Sequence, residues 1–347
     1  MSFEELMYSL FIYGGTFAIS CAFVYVANNS RNFKGLLSLI GVCIPAITAT
    51  FRESGIDYKA YESIYINIQR GTGYEDIEAF WYYLNKIMPS FKMLLFVSAL
   101  IFVAMAYFAI CQFMKTNRTF AWFIFLTVCY STFYNGMRQM IAVSIFFAAA
   151  ALLYKKKYFM SLLFVVGAFF FHETIAFMII VPLYMFLCKK VKHSELVAGG
   201  LTAIFVLGIP VITKIIEMVG LYSSYVEDTS WNLSVGFLLY AIPPLIPFWY
   251  FKRRVNGNRL VALCYDLYLL VIPFQFLGMS IHYADRMMLY VQIFVAVLIP
   301  SFVQELRRHI GRNDWKLIYV LWFIFHYLIL NAVMNGNETF PYMIFSV

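Results

Sequence analysis

The sequence predicts an all-α, polytopic membrane protein that crosses a bilayer about twelve times. Of its 347 residues 63% are hydrophobic and 13% charged, against roughly 25% charged in soluble domains. The apolar residues come in long blocks, as a hydrocarbon core about 30 Å thick requires of helices. The basic residues fall between those blocks, and every second loop is the basic one. Period-two alternation, the mark of a membrane barrel, is absent.

Taken in order, the blocks predict spans at 6–27, 35–51, 93–114, 119–134, 137–154, 158–172, 174–188, 196–213, 233–251, 260–281, 287–304 and 316–333. No basic leader precedes the first block, which is read as a span rather than a cleavable signal. The chain is expected to form one transmembrane domain over 1–347. Its long connection, 52–92, holds an aromatic-rich amphipathic stretch from Ile77 to Met88 that suits the membrane surface.

The positive-inside rule orients the spans. With the N-terminus outside, the inner loops hold Arg31 and Lys34; Lys115 and Arg118; Lys155, Lys156 and Lys157; Lys189, Lys190 and Lys192; Lys252, Arg253, Arg254 and Arg259; and Arg307, Arg308, Arg312 and Lys316. These are 18 of the 26 Lys and Arg residues. Both termini and the 52–92 and 214–232 loops are then expected outside. A net charge of +8 distributed this way speaks for membrane orientation and against nucleic-acid binding.

Prolines at 45, 182, 210, 243, 244, 247, 273 and 300 fall within the spans, where each frees a carbonyl and bends a helix. The six Cys residues are scattered singly in apolar blocks, with neither C-x-x-C nor a Cys/His metal spacing. They read as small core residues, and no metal or cofactor is expected. There is no P-loop, G-x-G-x-x-G, H-E-x-x-H or nucleophile elbow, which excludes a primary pump and a zinc protease. No internal repeat supports a transporter of duplicated halves.

Polar residues at membrane depth point to function, and here they gather at the outer ends of the spans: Arg52, Asp57, Arg138, Gln139, His172, Glu173, His282, Asp285 and Arg286. Arg138 and Arg286 sit in short outer connections, against the charge rule, and Arg52 opens the long one. Guanidinium forks match phosphate oxygens, so all three are candidate pyrophosphate ligands; snorkelling arginines or ion pairs are the plainer alternatives. His172 follows Phe169-Phe170-Phe171 and can accept a proton from a hydroxyl. Glu173, next to it in sequence, does not face it on a helix. His282 and Asp57 are the reserve bases. Asp57 and Glu78 lie among Tyr and Trp, a setting that suits sugar rings as well as an ordinary aromatic belt.

The chain resembles the EpsG family of Wzy-type polysaccharide polymerases. The stretches that carry this are Arg52-Glu53-Ser54-Gly55-Ile56-Asp57-Tyr58 with Tyr61; Glu78-Ala79-Phe80; Asn135-Gly136-Met137-Arg138-Gln139; Phe171-His172-Glu173; Tyr283-Ala284-Asp285-Arg286 with Tyr290; and Pro341-Tyr342. One departure is Glu173, where the family more often has a small hydroxyl residue.

The resemblance implies a fold like that of membrane-embedded, lipid-phosphate-dependent glycosyltransferases. It also implies polymerisation of undecaprenyl-pyrophosphate-linked oligosaccharide repeats on the outer face of the bacterial cytoplasmic membrane, for capsule, O-antigen or exopolysaccharide. The lipid-linked repeat would be both donor and acceptor, with membrane lipid and a chain-length regulator as further partners. In this reading His172, or else Asp57, is the base. Arg138, Arg286 and Arg52 bind the pyrophosphate, and Tyr58, Tyr61, Glu78, Gln139, His282, Tyr283 and Tyr342 line the sugar. A flippase of lipid-linked oligosaccharide, an outer-face acyltransferase and a polymer-to-lipid ligase are the rival readings.

Overall fold

A computed structural model describes residues 1–72, 77–219, 235–255, 257–278, 281, 284–311 and 314–344. The chain forms two compact units, Met1–Glu173 with Asp314–Val347, and Thr174–Asn313. Apart from one isolated bridge, Arg52 with Ile344, the described residues fold as helices and their connections.

The first unit contains α1 (Phe3–Asn29), α2 (Lys34–Thr50), α3 (Tyr58–Gln69), α4 (Ala79–Ile87), α5 (Phe91–Phe113), α6 (Arg118–Phe133), α7 (Met137–Tyr154), α8 (Tyr158–Phe169) and, after the second unit, a helix over Asp314–Tyr327. Ser2 and Glu5 form a capping box at the start of α1, and Ser90 caps α5 through the amide of Met93. Helix α1 buries Ser9, Tyr13, Thr16, Phe17, Ser20, Val24 and Ala27, a stripe at three- and four-residue spacing laid on α2 and α6. Helix α7 lies between α5 and α8 and is buried on nearly every side.

The α1–α2 crossing shows how an apolar span absorbs a proline. Pro45 has no N–H to give to the carbonyl of Gly41, one turn back. The Ser20 hydroxyl donates to that carbonyl at 2.5 Å and accepts from the Trp122 indole N–H at 2.8 Å. Gly41 is what allows the approach. A Cβ there would lie 3.0 Å from Val24 Cγ2 and 3.1 Å from the Ser20 carbonyl, the close packing that small residues permit in membranes. Gly41→Ala should therefore cost about 1–3 kcal/mol. The readout is a lower apparent Tm in detergent; an unchanged Tm would show that α1 and α2 part easily.

The second unit contains a 3-10 turn that begins at Glu173 and runs to Ile179, then α9 (Ile180–Val191), α10 (Ser194–Val219), α11 (Val235–Val255), α12 (Arg259–Leu269), α13 (Val271–Gly278), a 3-10 turn over Ala284–Met288, α14 (Leu289–Gln292) and α15 (Val295–Ile310). Asn258 caps α12, and its amide donates to Glu305 at 2.7 Å, as does Arg308 at 2.6 Å.

Among the described residues eight helical segments are long and apolar enough to cross a bilayer, against the twelve spans expected. The other expected spans are helical but shorter in length or apolar content. Lys34–Thr50 has 17 residues, Arg118–Phe133 has 16, Tyr158–Phe169 has 12, and the apolar part of α11 is Phe237–Phe251. At about 1.5 Å per residue, twelve residues reach only about 18 Å. The expected 260–281 span is among the eight, over Arg259–Gly278, with a turn at Leu270, where Pro273 cannot donate to the carbonyl of Leu269. The 52–92 connection also departs from expectation. Beside the expected amphipathic helix (α4) it contains α3, and the two pack with the Tyr61 ring edge-on to Trp81 at 5.6 Å. Most of 214–232 lies outside the described residues.

Candidate active site

At one end of the first unit three helix ends meet: the C-terminus of α6, the N-terminus of α7 and the C-terminus of α8. The turn Tyr134-Asn135-Gly136 joins α6 to α7, and the amide of Met140 bonds the Gly136 carbonyl at 2.7 Å. Arg138 is therefore in the first turn of α7, with its guanidinium leaving the helix end. Helix α8 stops at Phe169, and the amides of Phe171 and His172 both close onto the Ala168 carbonyl at 3.0 Å, which turns His172 out of the helix line. Glu78 stands just before α4, and the next residues tie α4 to the end of α8. The Phe80 amide bonds the Phe170 carbonyl at 3.0 Å, and the Phe80 ring meets those of Phe170 and Phe171 at 5.0 and 5.6 Å.

These ties place one carboxylate between two cationic or basic groups. Glu78 Oε2 accepts from Arg138 Nη1 at 2.5 Å, and Glu78 Oε1 meets His172 Nδ1 at 2.6 Å. The side chains are 27% (Arg138), 12% (Glu78) and 20% (His172) exposed, so the cluster is sheltered yet open to a ligand. Burial by itself would raise the Glu78 carboxyl. The hydrogen bond from His172 and the charge of Arg138 outweigh it and hold Glu78 below its ordinary value. The Tyr61 hydroxyl donates to the Asn135 carbonyl at 3.4 Å, and burial raises that phenol. No other hydrogen bond reaches His172 Nε2 among the described residues.

Such a cluster pairs a base with its orienting carboxylate and sets a planar cation alongside, the equipment for activating a hydroxyl and stabilising an anionic leaving group. A comparison with known protein families matches the EpsG family over residues 35–344. The chain belongs to the EpsG family. Its members are Wzy-type polymerase-like, so a role of that general kind in polysaccharide biosynthesis follows. No curated protein and no solved structure matches the chain.

The EpsG-type segments that belong to the first unit meet at this end of it. Arg52 is fully buried. Its Nη1 donates to the Ser54 carbonyl at 2.7 Å and its Nη2 to the Tyr134 carbonyl at 3.1 Å, with the guanidinium 3.8 Å over the Tyr134 ring. These are the contacts of a cation that caps the carbonyl at the C-terminus of α6. Gly55 (φ +113°) explains its own place in the motif, because a Cβ there would lie 2.8 Å from Arg52 Nη1 and 3.0 Å from Asn135 Oδ1.

Tyr342, expected at the sugar, is buried. Its hydroxyl donates to the Thr48 carbonyl at 2.7 Å, its amide donates to Ser9 Oγ at 2.8 Å, and its ring stands edge-on to Tyr13. It anchors a C-terminal segment that also bonds Glu53, Gly55 and Asn135. Glu78, likewise expected at the sugar, is engaged at both oxygens by protein. Tyr58 packs in the interior edge-on to Phe91, and Gln139 is buried. Tyr61 is buried, with its ring against Trp81. Asp57 is half-buried at the start of α3, and its charge acts on Tyr61. Arg286 is exposed on the 3-10 turn of the second unit. His282 and Tyr283 lie outside the described residues. The link between Glu78 and His172 was not anticipated, because 94 residues separate them.

Proposed function

We propose that this EpsG-family chain is a glycosyltransferase that joins undecaprenyl-pyrophosphate-linked oligosaccharide repeats on the outer face of the cytoplasmic membrane. The observation that carries the reading is the Arg138–Glu78–His172 cluster at the helix ends, with His172 Nε2 left to act. The basic loops, such as Lys155, Lys156 and Lys157 just beyond the far end of α7, support an outward-facing cluster.

In this reaction the acceptor sugar's hydroxyl gives its proton to His172 Nε2. The freed oxygen bonds to the anomeric carbon of the donor. The bond from that carbon to the pyrophosphate breaks, and its electron pair leaves on the pyrophosphate oxygen. Arg138 neutralises that charge while remaining within reach of Glu78, a task that suits a planar, permanently charged fork. The proton then passes from His172 to the departing pyrophosphate or to water. Arg286, in the second unit, is a separate candidate for anion contact, and Asp57 is a reserve base.

The test is purified protein in lipid, given a synthetic lipid-pyrophosphate repeat and followed by gel. A ladder of lengthened sugars is the expected result. Movement of labelled substrate across vesicles with no lengthening would mean a flippase instead. Arg138→Lys keeps the charge but loses the fork, and elongation should fall about tenfold to a hundredfold. Wild-type laddering by that variant would remove Arg138 from the chemistry.

A further inference from the structure

The polymerase reading leaves open why Glu78 is held at both ends. We propose that Glu78 is a positioning residue that fixes His172 as the Nδ1-protonated tautomer and so keeps the Nε2 lone pair for the acceptor hydroxyl; the inference rests on His172 being the base.

The argument begins with the donor and acceptor inventory. An ionised carboxylate only accepts hydrogen bonds, and a neutral imidazole has one N–H and one lone pair. Glu78 is ionised, being held below its ordinary value. At 2.6 Å from Glu78 Oε1, Nδ1 must therefore carry the proton, and the lone pair falls to Nε2. Glu78 cannot turn away, because Arg138 takes Oε2 at 2.5 Å and the Phe80–Phe170 backbone bond at 3.0 Å fixes the approach of α4 to the end of α8. The ring is thus oriented by an anchored anion. Glu173, its neighbour in sequence, is exposed.

The same inventory predicts an unusual consequence for Glu78→Gln. Arg138 can only donate, so it takes the amide oxygen. The amide N–H₂ then faces His172 Nδ1, which must accept. The proton moves to Nε2, and the base is lost although size and shape are kept. A merely structural Glu78 would produce no such inversion.

The experiment uses full-length protein in lipid nanodiscs, labelled with ¹⁵N-histidine, with His172→Ala used to assign the signal. Wild type should show the Nδ1–H signature with no substrate present, and Glu78→Gln the Nε2–H signature. In the polymerisation assay Glu78→Gln should lower kcat about 10- to 100-fold with KM changed less than about twofold, and Glu78→Asp, which restores an acceptor, should recover part of it. An Nε2–H tautomer in wild type would overturn the proposal without any variant. So would an unshifted tautomer or an unchanged kcat in Glu78→Gln. Because the tautomer is read in the resting protein, its outcome is separate from that of the polymerase reading: full turnover by His172→Ala would refute the base while leaving the tautomer result standing.

Discussion

Replacing His172 with Ala should reduce polymerisation by about 10²–10⁴-fold, the usual range for losing a positioned general base, with the protein still folded. The imidazole is 20% exposed and its hydrogen-bond partner in the described structure is Glu78, so truncation opens space at an open site rather than a cavity in the core. Arg138 keeps its contact to Glu78, and the ties between α4 and the end of α8 run through Phe80 and Phe170 rather than through the ring. A detergent Tm near wild type is therefore expected alongside the lost activity. The loss should appear mainly in kcat, since the pyrophosphate and the lipid are gripped elsewhere. Turnover close to wild type, with purified lipid-linked repeat, would send the search for a base to Asp57 or beyond the described residues to His282.

How far the sequence disclosed this arrangement differs from element to element. Helix α7 runs over Met137–Tyr154, the limits its apolar block predicts, because both ends are marked by polar turns. The 158–172 block ends early, at Phe169, since its apolar run passes without a break into a turn that composition does not distinguish from helix. The pattern of helix α3 is present in the sequence. Tyr58, Tyr61, Tyr65 and Ile68 recur at three- and four-residue spacing, a stripe buried at Tyr58, Tyr61 and Ile68 and half-buried at Tyr65, in a segment too polar to register as a span. The residues of the site were legible one at a time, as costly groups at membrane ends. Their pairing was not. Helix geometry speaks against the adjacent Glu173 as the partner of His172 but names no other; the partner is Glu78, delivered by the packing of α3 and α4. Arg52 shows the converse ambiguity. A cation at the membrane edge looks the same in sequence whether it faces a phosphate or a backbone carbonyl.

That ambiguity makes Arg52→Ala the sharper test of the structure, and it should fail by unfolding rather than by losing chemistry. Arg52 is wholly buried, and truncating it strips two charged donors from the Ser54 and Tyr134 carbonyls and removes the cation over the Tyr134 ring. Both carbonyls are then left without the donor that satisfies them, beside a void as large as the lost side chain. Burial lowers the pKa of the guanidinium, so some cost of keeping it charged there is recovered. Against that, two lost charge-assisted hydrogen bonds and the cavity amount to about 3–5 kcal/mol, a large share of a typical folding free energy of about 5–15 kcal/mol. The apparent Tm in detergent should fall on the order of 10 °C, and Arg52→Lys should not restore it, because an ammonium cannot reach both carbonyls in the plane of a fork. The turn that carries Asn135 and Arg138 would loosen with it, so polymerisation would be lost as well, but in proportion to unfolded protein. A variant that keeps its Tm and loses polymerisation would mean the opposite: that Arg52 leaves its interior position to meet the pyrophosphate after all.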